Sequence, residues 1–119
     1  MADFSVETTV GLAEGANIQF AEGNGDNIGA GIAVCEEAFF LVEPCLRTAW
    51  DGWVTEARYG ASELPVSVRK ALVDCLRAEA NAVRRDAADG NEKADFFEQI
   101  ADWLAARCDE RQLVSILGV

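Results

Sequence analysis

Apolar residues recur at every second position near the start of this 119-residue chain, and at every third or fourth position from Ile28 onwards. That change of period constrains the fold most strongly. Side chains alternate faces along a strand, but return to one face every 3.6 residues in a helix. Phe4, Val6, Thr8 and Val10 alternate with Ser5, Glu7 and Thr9, and Ile18 and Phe20 share one face of Ala16–Ala21. With turn-like Gly11–Gly15 between them, the two segments predict a β-hairpin. A lone hairpin is marginal in water, so helices or a further strand must cover it. Leu113–Leu117 offers that strand; a last helical turn is the alternative reading of the same tail.

Gly23–Asn27 reads as a loop. Beyond it Ile28, Ile32, Cys35, Phe39 and Val42 fall at helical spacing, with Asp26 or Asn27 as the cap. Pro44 is expected to break this helix and to open a second one, because proline lacks an N–H and suits a first turn. The second stripe holds Leu46, Ala49, Trp50, Trp53 and Ala57, and Gly60–Ser62 ends it. Glu43, Arg47 and Asp51 lie on its other face at i, i+4 spacing, as surface ion pairs do. A third helix over 65–88 carries Val68, Ala71, Leu72, Cys75, Leu76, Ala82 and Val83. After a turn at Ala88–Asn91, with Asn91 as cap, Phe96, Ile100, Trp103 and Leu104 make the last stripe. The expected fold is α+β and mainly helical. An N-terminal hairpin, with or without the C-terminal strand, packs on about four α-helices in a single domain, 1–119.

Residues 1–66 carry eleven acids and two bases, whereas residues 67–119 carry ten acids and eight bases. The net charge of −11 therefore sits mostly in the first half. Such a field repels nucleic acid and anionic membranes and draws in basic proteins; solubility alone also accounts for it. Half of the residues are hydrophobic, which argues against disorder. The start has neither a basic nor an apolar leader region, and Glu36 and Glu37 interrupt the longest apolar stretch, so neither secretion nor a membrane span is expected. Cys35, Cys45, Cys75 and Cys108 are too widely spaced for a zinc site and suit free thiols in a reducing cytoplasm.

The chain has no histidine, which excludes histidine-based acid–base catalysis and histidine metal ligation. The cysteines fall on or beside apolar helix positions and read as buried hydrophobes rather than nucleophiles. Gly23-x-Gly25-x-x-x-Gly29 misses the dinucleotide spacing, and Asp86–Asn91 misses the calcium-loop pattern. No catalytic residue, metal ligand or cofactor is expected. Lys70, Arg77 and Arg84, joined by Arg69 and Arg85, make a basic stripe that reads as neutralising nearby acids. Glu79 and Arg107 fall within apolar stripes, where a structural ion pair or a partly exposed edge would accommodate them.

The leading expectation is a non-enzymatic inhibitor that binds a basic, nucleic-acid-binding protein such as a nuclease, without binding nucleic acid itself. The candidate partner-binding residues are Glu14, Glu22, Asp26, Glu36, Glu37, Phe40, Glu43, Asp51 and Glu56, with Phe40 an aromatic anchor among acids. In size and acidity the chain is similar to toxin-immunity proteins, anti-CRISPRs and DNA mimics. The likeness is one of composition and transfers no residues. The alternative is a structural or adaptor subunit, for which three tryptophans and six phenylalanines leave room for a homo-oligomer face. A carboxylate-based enzyme is the least favoured reading.

Overall fold

The computed structural model describes residues 4, 6–10, 17–24, 27–51, 53, 61–86, 90–109 and 111–117. Its elements follow in the order β1 (Glu7–Val10), β2 (Asn17–Asn24), β3 (Asn27–Cys35), α1 (Glu36–Ala49), β4 (Ala61–Glu63), α2 (Val66–Asp86), α3 (Gly90–Ala105) and β5 (Val114–Leu117). The α+β class stands, but among the described residues there are three helices rather than four, and five strands in one sheet.

The sheet order is β1-β3-β2-β5-β4, with every neighbouring pair antiparallel. The expected hairpin between the first two strands is therefore corrected. Both β1 and β2 pair with β3, and β3 separates them. The error lay at Asn27–Cys35, read as helix from Ile28, Ile32 and Cys35. The same segment, NIGAGIAVC, holds two glycines that helices disfavour and alternates Ile32 and Val34 on one face. The tail does form the added strand, β5, between β2 and β4. β4 lies in the segment read as the end of a helix.

One sheet face is apolar. Ile18, Phe20, Ile32, Val34, Val114 and Ile116 join the buried core, with cross-strand neighbours Phe20–Ile32, Phe20–Ile116 and Ile18–Val34. The register slips between Ala21 and Gly23, where β3 gives two residues opposite one of β2, a bulge that bends the strand locally. Gly23 takes φ 94° there, a backbone region that side chains with a Cβ rarely adopt. Val10, which the alternation places on one face with Phe4, Val6 and Thr8, is 92% exposed on the edge strand β1.

Helix α1 runs through Pro44, which overturns the expected break. An interior proline costs about 3 kcal/mol. The offsetting term is burial, since Ala38, Phe39, Val42, Cys45 and Leu46 are all sealed into the core on one face. Thr48 Oγ1 donates to the Pro44 carbonyl at 2.9 Å, and the Trp50 N–H closes the helix on the Leu46 carbonyl. Phe39 then meets Phe20 and Trp53 edge-on, and Trp53 meets Trp50, which fastens α1 to the sheet. Of the second helix expected there, Ala57 lies outside the described residues.

Helices α2 and α3 pack antiparallel through Leu72, Leu76 and Ala80 on one side and Phe97, Ile100 and Leu104 on the other. Ala71 and Ala82, expected in the buried face, are exposed and half-buried. α3 starts at Gly90, so Asn91 lies in its first turn rather than ahead of it.

Candidate functional site

Helix α1 carries most of the described candidate residues. Its N-cap is Cys35, whose Sγ accepts the Ala38 N–H at 3.4 Å. Glu36 and Glu37 follow in the first turn, where the helix dipole favours negative charge. They are thus at the start of a helix, not in the middle of one. Glu36, Phe40, Glu43 and Arg47 succeed one another at i, i+4 or i, i+3 and form one column. Exposure varies sharply within it. Glu37, beside the column, is exposed, Phe40 is 48% exposed, Glu36 is half-buried, and Glu43 is 1% exposed.

Glu43 therefore does not present its carboxylate to a partner. It accepts from Arg47 Nη2 at 3.1 Å, and that arginine is itself largely exposed. The i, i+4 pairing expected from sequence forms, but one member is buried. Asp51 is exposed just past the end of α1.

Glu22 is committed elsewhere. It sits on β2 beside the bulge and accepts from Gln112 Nε2 at 2.7 Å, with Arg107 Nε 3.4 Å away. Arg107 lies 4.1 Å over the Trp103 ring and donates from Nη1 to the Trp103 carbonyl. Glu22 thus ties the sheet to the segment after α3. Glu14, Asp26 and Glu56 lie outside the described residues. The nine candidates do not form one cluster. The structure brings Glu36, Glu37 and Phe40 together, with Asp51 beyond the far end of the same helix.

Two arginines of the α2 basic stripe have carboxylate partners. Arg77 pairs with Asp102 at 3.1 Å. Arg84 grips Glu98 with two parallel bonds, 2.8 and 2.7 Å, and reaches Asp95 at 3.0 Å. The Arg84 guanidinium holds the Glu98 carboxyl below the usual carboxylate range. All three acids belong to α3. Glu79, expected within the apolar stripe, is exposed, and Arg107 lies beyond the end of α3 and pairs with Glu22 instead. The sequence offered one signal for this α2–α3 lattice: Arg77 and Arg84 a heptad apart, facing acids three and four apart on the next helix.

The four cysteines are free thiols. Burial, with the Cys75 thiol alongside, pushes the Cys45 thiol well above its ordinary range. Among the described residues, no three Cys, Asp or Glu side chains are grouped to hold a metal ion. No described helix is long and apolar enough to cross a membrane. Two surface depressions among the described residues are open grooves, one at the start of α2 and one along Ala78, Asn81, Arg84 and Arg85. No protein-family model matches this sequence, and no curated protein or solved structure is significantly similar to it.

Proposed function

We propose that the protein is a small acidic binding module that engages and blocks a basic protein, of the kind that binds nucleic acid, in the cytoplasm. One observation carries the reading. Arg77 and Arg84 of the α2 stripe are paired with Asp102, Asp95 and Glu98 of α3, so the charge of these two arginines is spent away from the acids of the first half. Among the described acids of the first half, Glu7, Glu37, Asp51 and Glu63 are exposed. Exposed Glu37 and Asp51 are the carboxylates offered, with Glu36 and Phe40 near Glu37 on α1. Glu22 and Glu43 act in the fold. Four free thiols accord with a reducing compartment.

The test is capture of basic proteins from a lysate by the parent chain, by Glu37→Lys/Asp51→Lys and by Asp74→Lys/Glu92→Lys. The two variants change the net charge equally, and Asp74 and Glu92 are exposed on α2 and α3. The proposal expects the α1-side variant alone to lose a specific nucleic-acid-binding partner, by about tenfold or more. Equal losses in both variants would show that only bulk charge matters. The adaptor reading has exposed Val10 in its favour, on β1, which is an edge strand among the described residues. A stable homo-oligomer in light scattering, with no basic partner captured, would support it instead.

A further inference from the structure

We propose that Cys45 and Cys75 are a thiol-oxidation site, a pair that hydrogen peroxide converts to a reversible disulfide across the interface of α1 and α2.

The two cysteines are far apart in sequence and are brought together by the fold. Cys45 lies on the core face of α1 between Val42 and Leu46, and Cys75 lies on α2 between Leu72 and Leu76. α1 packs against α2. Across that interface the Cys45 and Cys75 thiols hydrogen-bond to one another. Each side chain is a single carbon long. Contact between the sulfurs therefore sets the two helices at the close approach that a bridge requires. The other two thiols are held locally. Cys35 Sγ accepts the Ala38 N–H at the start of α1, and Cys108 Sγ donates to the Leu104 carbonyl at 3.3 Å.

Burial assigns the two members different roles. Cys75 is half-buried and Cys45 is 2% exposed. A small oxidant from solvent meets Cys75 first. Burial, the Cys75 thiol and the Glu79 carboxylate on the next turn of α2 all keep Cys45 as the neutral thiol. It is shielded from solvent reagents but touches whatever forms on Cys75. In the first step the Cys75 thiolate attacks one peroxide oxygen. The O–O bond breaks, hydroxide leaves, and Cys75 becomes a sulfenic acid. In the second step the Cys45 sulfur attacks the Cys75 sulfur. The S–S bond forms, the S–O bond breaks, and the departing hydroxide takes the Cys45 proton. Two thiols lose two electrons in all, and one peroxide becomes two waters.

The bridge would fasten α1, the helix that carries Glu36, Glu37 and Phe40, to α2. A disulfide that forms only under oxidant is the kind a reducing compartment permits. The site does not depend on a basic partner binding α1.

The experiment treats the folded full chain with hydrogen peroxide in modest excess, blocks remaining thiols with N-ethylmaleimide, and maps peptides without reduction. Cleavage after glutamates separates Cys35 from Cys45, because Glu36 and Glu37 lie between them. A Cys45–Cys75 linked peptide is expected as the dominant pairing, and dithiothreitol is expected to reverse it. Cys75→Ser is expected to lose the link and to leave Cys45 a free thiol, while Cys35→Ser/Cys108→Ser keeps it. The oxidised chain is expected to melt about 5 °C or more above the reduced one. Cys45 left reduced in the parent chain, or a mixture of pairings no different from that of the chain in concentrated urea, overturns the site. A bridge that lowers the Tm shows that the helices must part to form it, and overturns the preformed pair.

Discussion

Gly31→Ala tests the sheet register directly. Gly31 lies on β3 between Thr9 of β1 and Ala21 of β2. A Cβ at this position would meet the Phe20 carbonyl oxygen at 2.4 Å, and Cα and Cβ of Ala21 at 3.0 Å. Carbon and oxygen in close contact sit about 3.3 Å apart, so β2 or β3 must move by about 0.9 Å. That displacement is large against ladder hydrogen bonds, which span only about 2.7–3.2 Å. Neither strand is at an edge, so neither can swing outward freely. Forcing a methyl into such a site costs about 1–3 kcal/mol, offset by about 0.5–1 kcal/mol because alanine loses less backbone entropy than glycine. A net loss near the upper part of that range, about 2 kcal/mol, follows from the backbone nature of the clash. An unfolding entropy of about 2.1 cal/mol/K per residue converts this, for 119 residues, to a Tm lower by about 8 °C. Gly29→Ala is the control, since its nearest neighbour would be Glu22 Cβ at an ordinary 3.6 Å. It is expected to be neutral or stabilising by about 0.5 kcal/mol. Thermal and urea melts followed by circular dichroism give both values. A Gly31→Ala chain melting within about 2 °C of the parent, or a Gly29→Ala chain losing as much, would refute the register.

The Arg84–Glu98 pair predicts a pH dependence. Glu98 is held below its unfolded pKa, so its contribution is present above the ordinary carboxylate range and is lost as the pH falls through the folded value. The urea midpoint therefore declines below about pH 4, and Arg84→Gln flattens the decline; identical slopes in the two proteins would show that this exposed lattice adds nothing. Cys45, buried and with its thiol pushed upward, is expected to react with a thiol reagent after half-buried Cys75 and Cys108, and to do so only on unfolding. Peptide mapping after timed labelling reads the order, and early label at Cys45 would contradict its packing.

Helix α2 was legible in outline because its signals agreed: a proline before it, an apolar stripe over several turns and a turn-forming segment after it. The tail β5 was legible from Val114 and Ile116 alternating with Ser115. β3 was not, because Ile28, Ile32, Cys35 and Phe39 satisfy helical spacing while straddling the junction of a strand with α1. Misreading it also misassigned the partner of β1. Pro44 misled in the opposite way, a local breaker overruled by burial on both sides of it. At the candidate site, sequence located the acids of α1 but could not distinguish Glu37 from Glu43. Their burial depends on how α1 rolls against the sheet and α2, which no local pattern encodes. Arg69 was grouped with the surface stripe for the same reason, and its three carbonyl partners come from segments up to 40 residues away.

The position of β5 has a kinetic consequence. Among the described residues β4 pairs only with β5, and β2 reaches β5 across about ninety residues, as the Gln112–Glu22 and Ser115–Gly23 bonds show. The helices can form from contacts close in sequence, but this half of the sheet cannot. Closing so long a loop adds only about 0.6 kcal/mol per doubling of length, so the burden falls on the rate of assembly more than on the final stability. Until β5 docks, β2 is an open edge flanked by apolar Ile18 and Phe20. The four residues Val114–Leu117 thus act as the cover that keeps a half-made sheet from pairing with its neighbours.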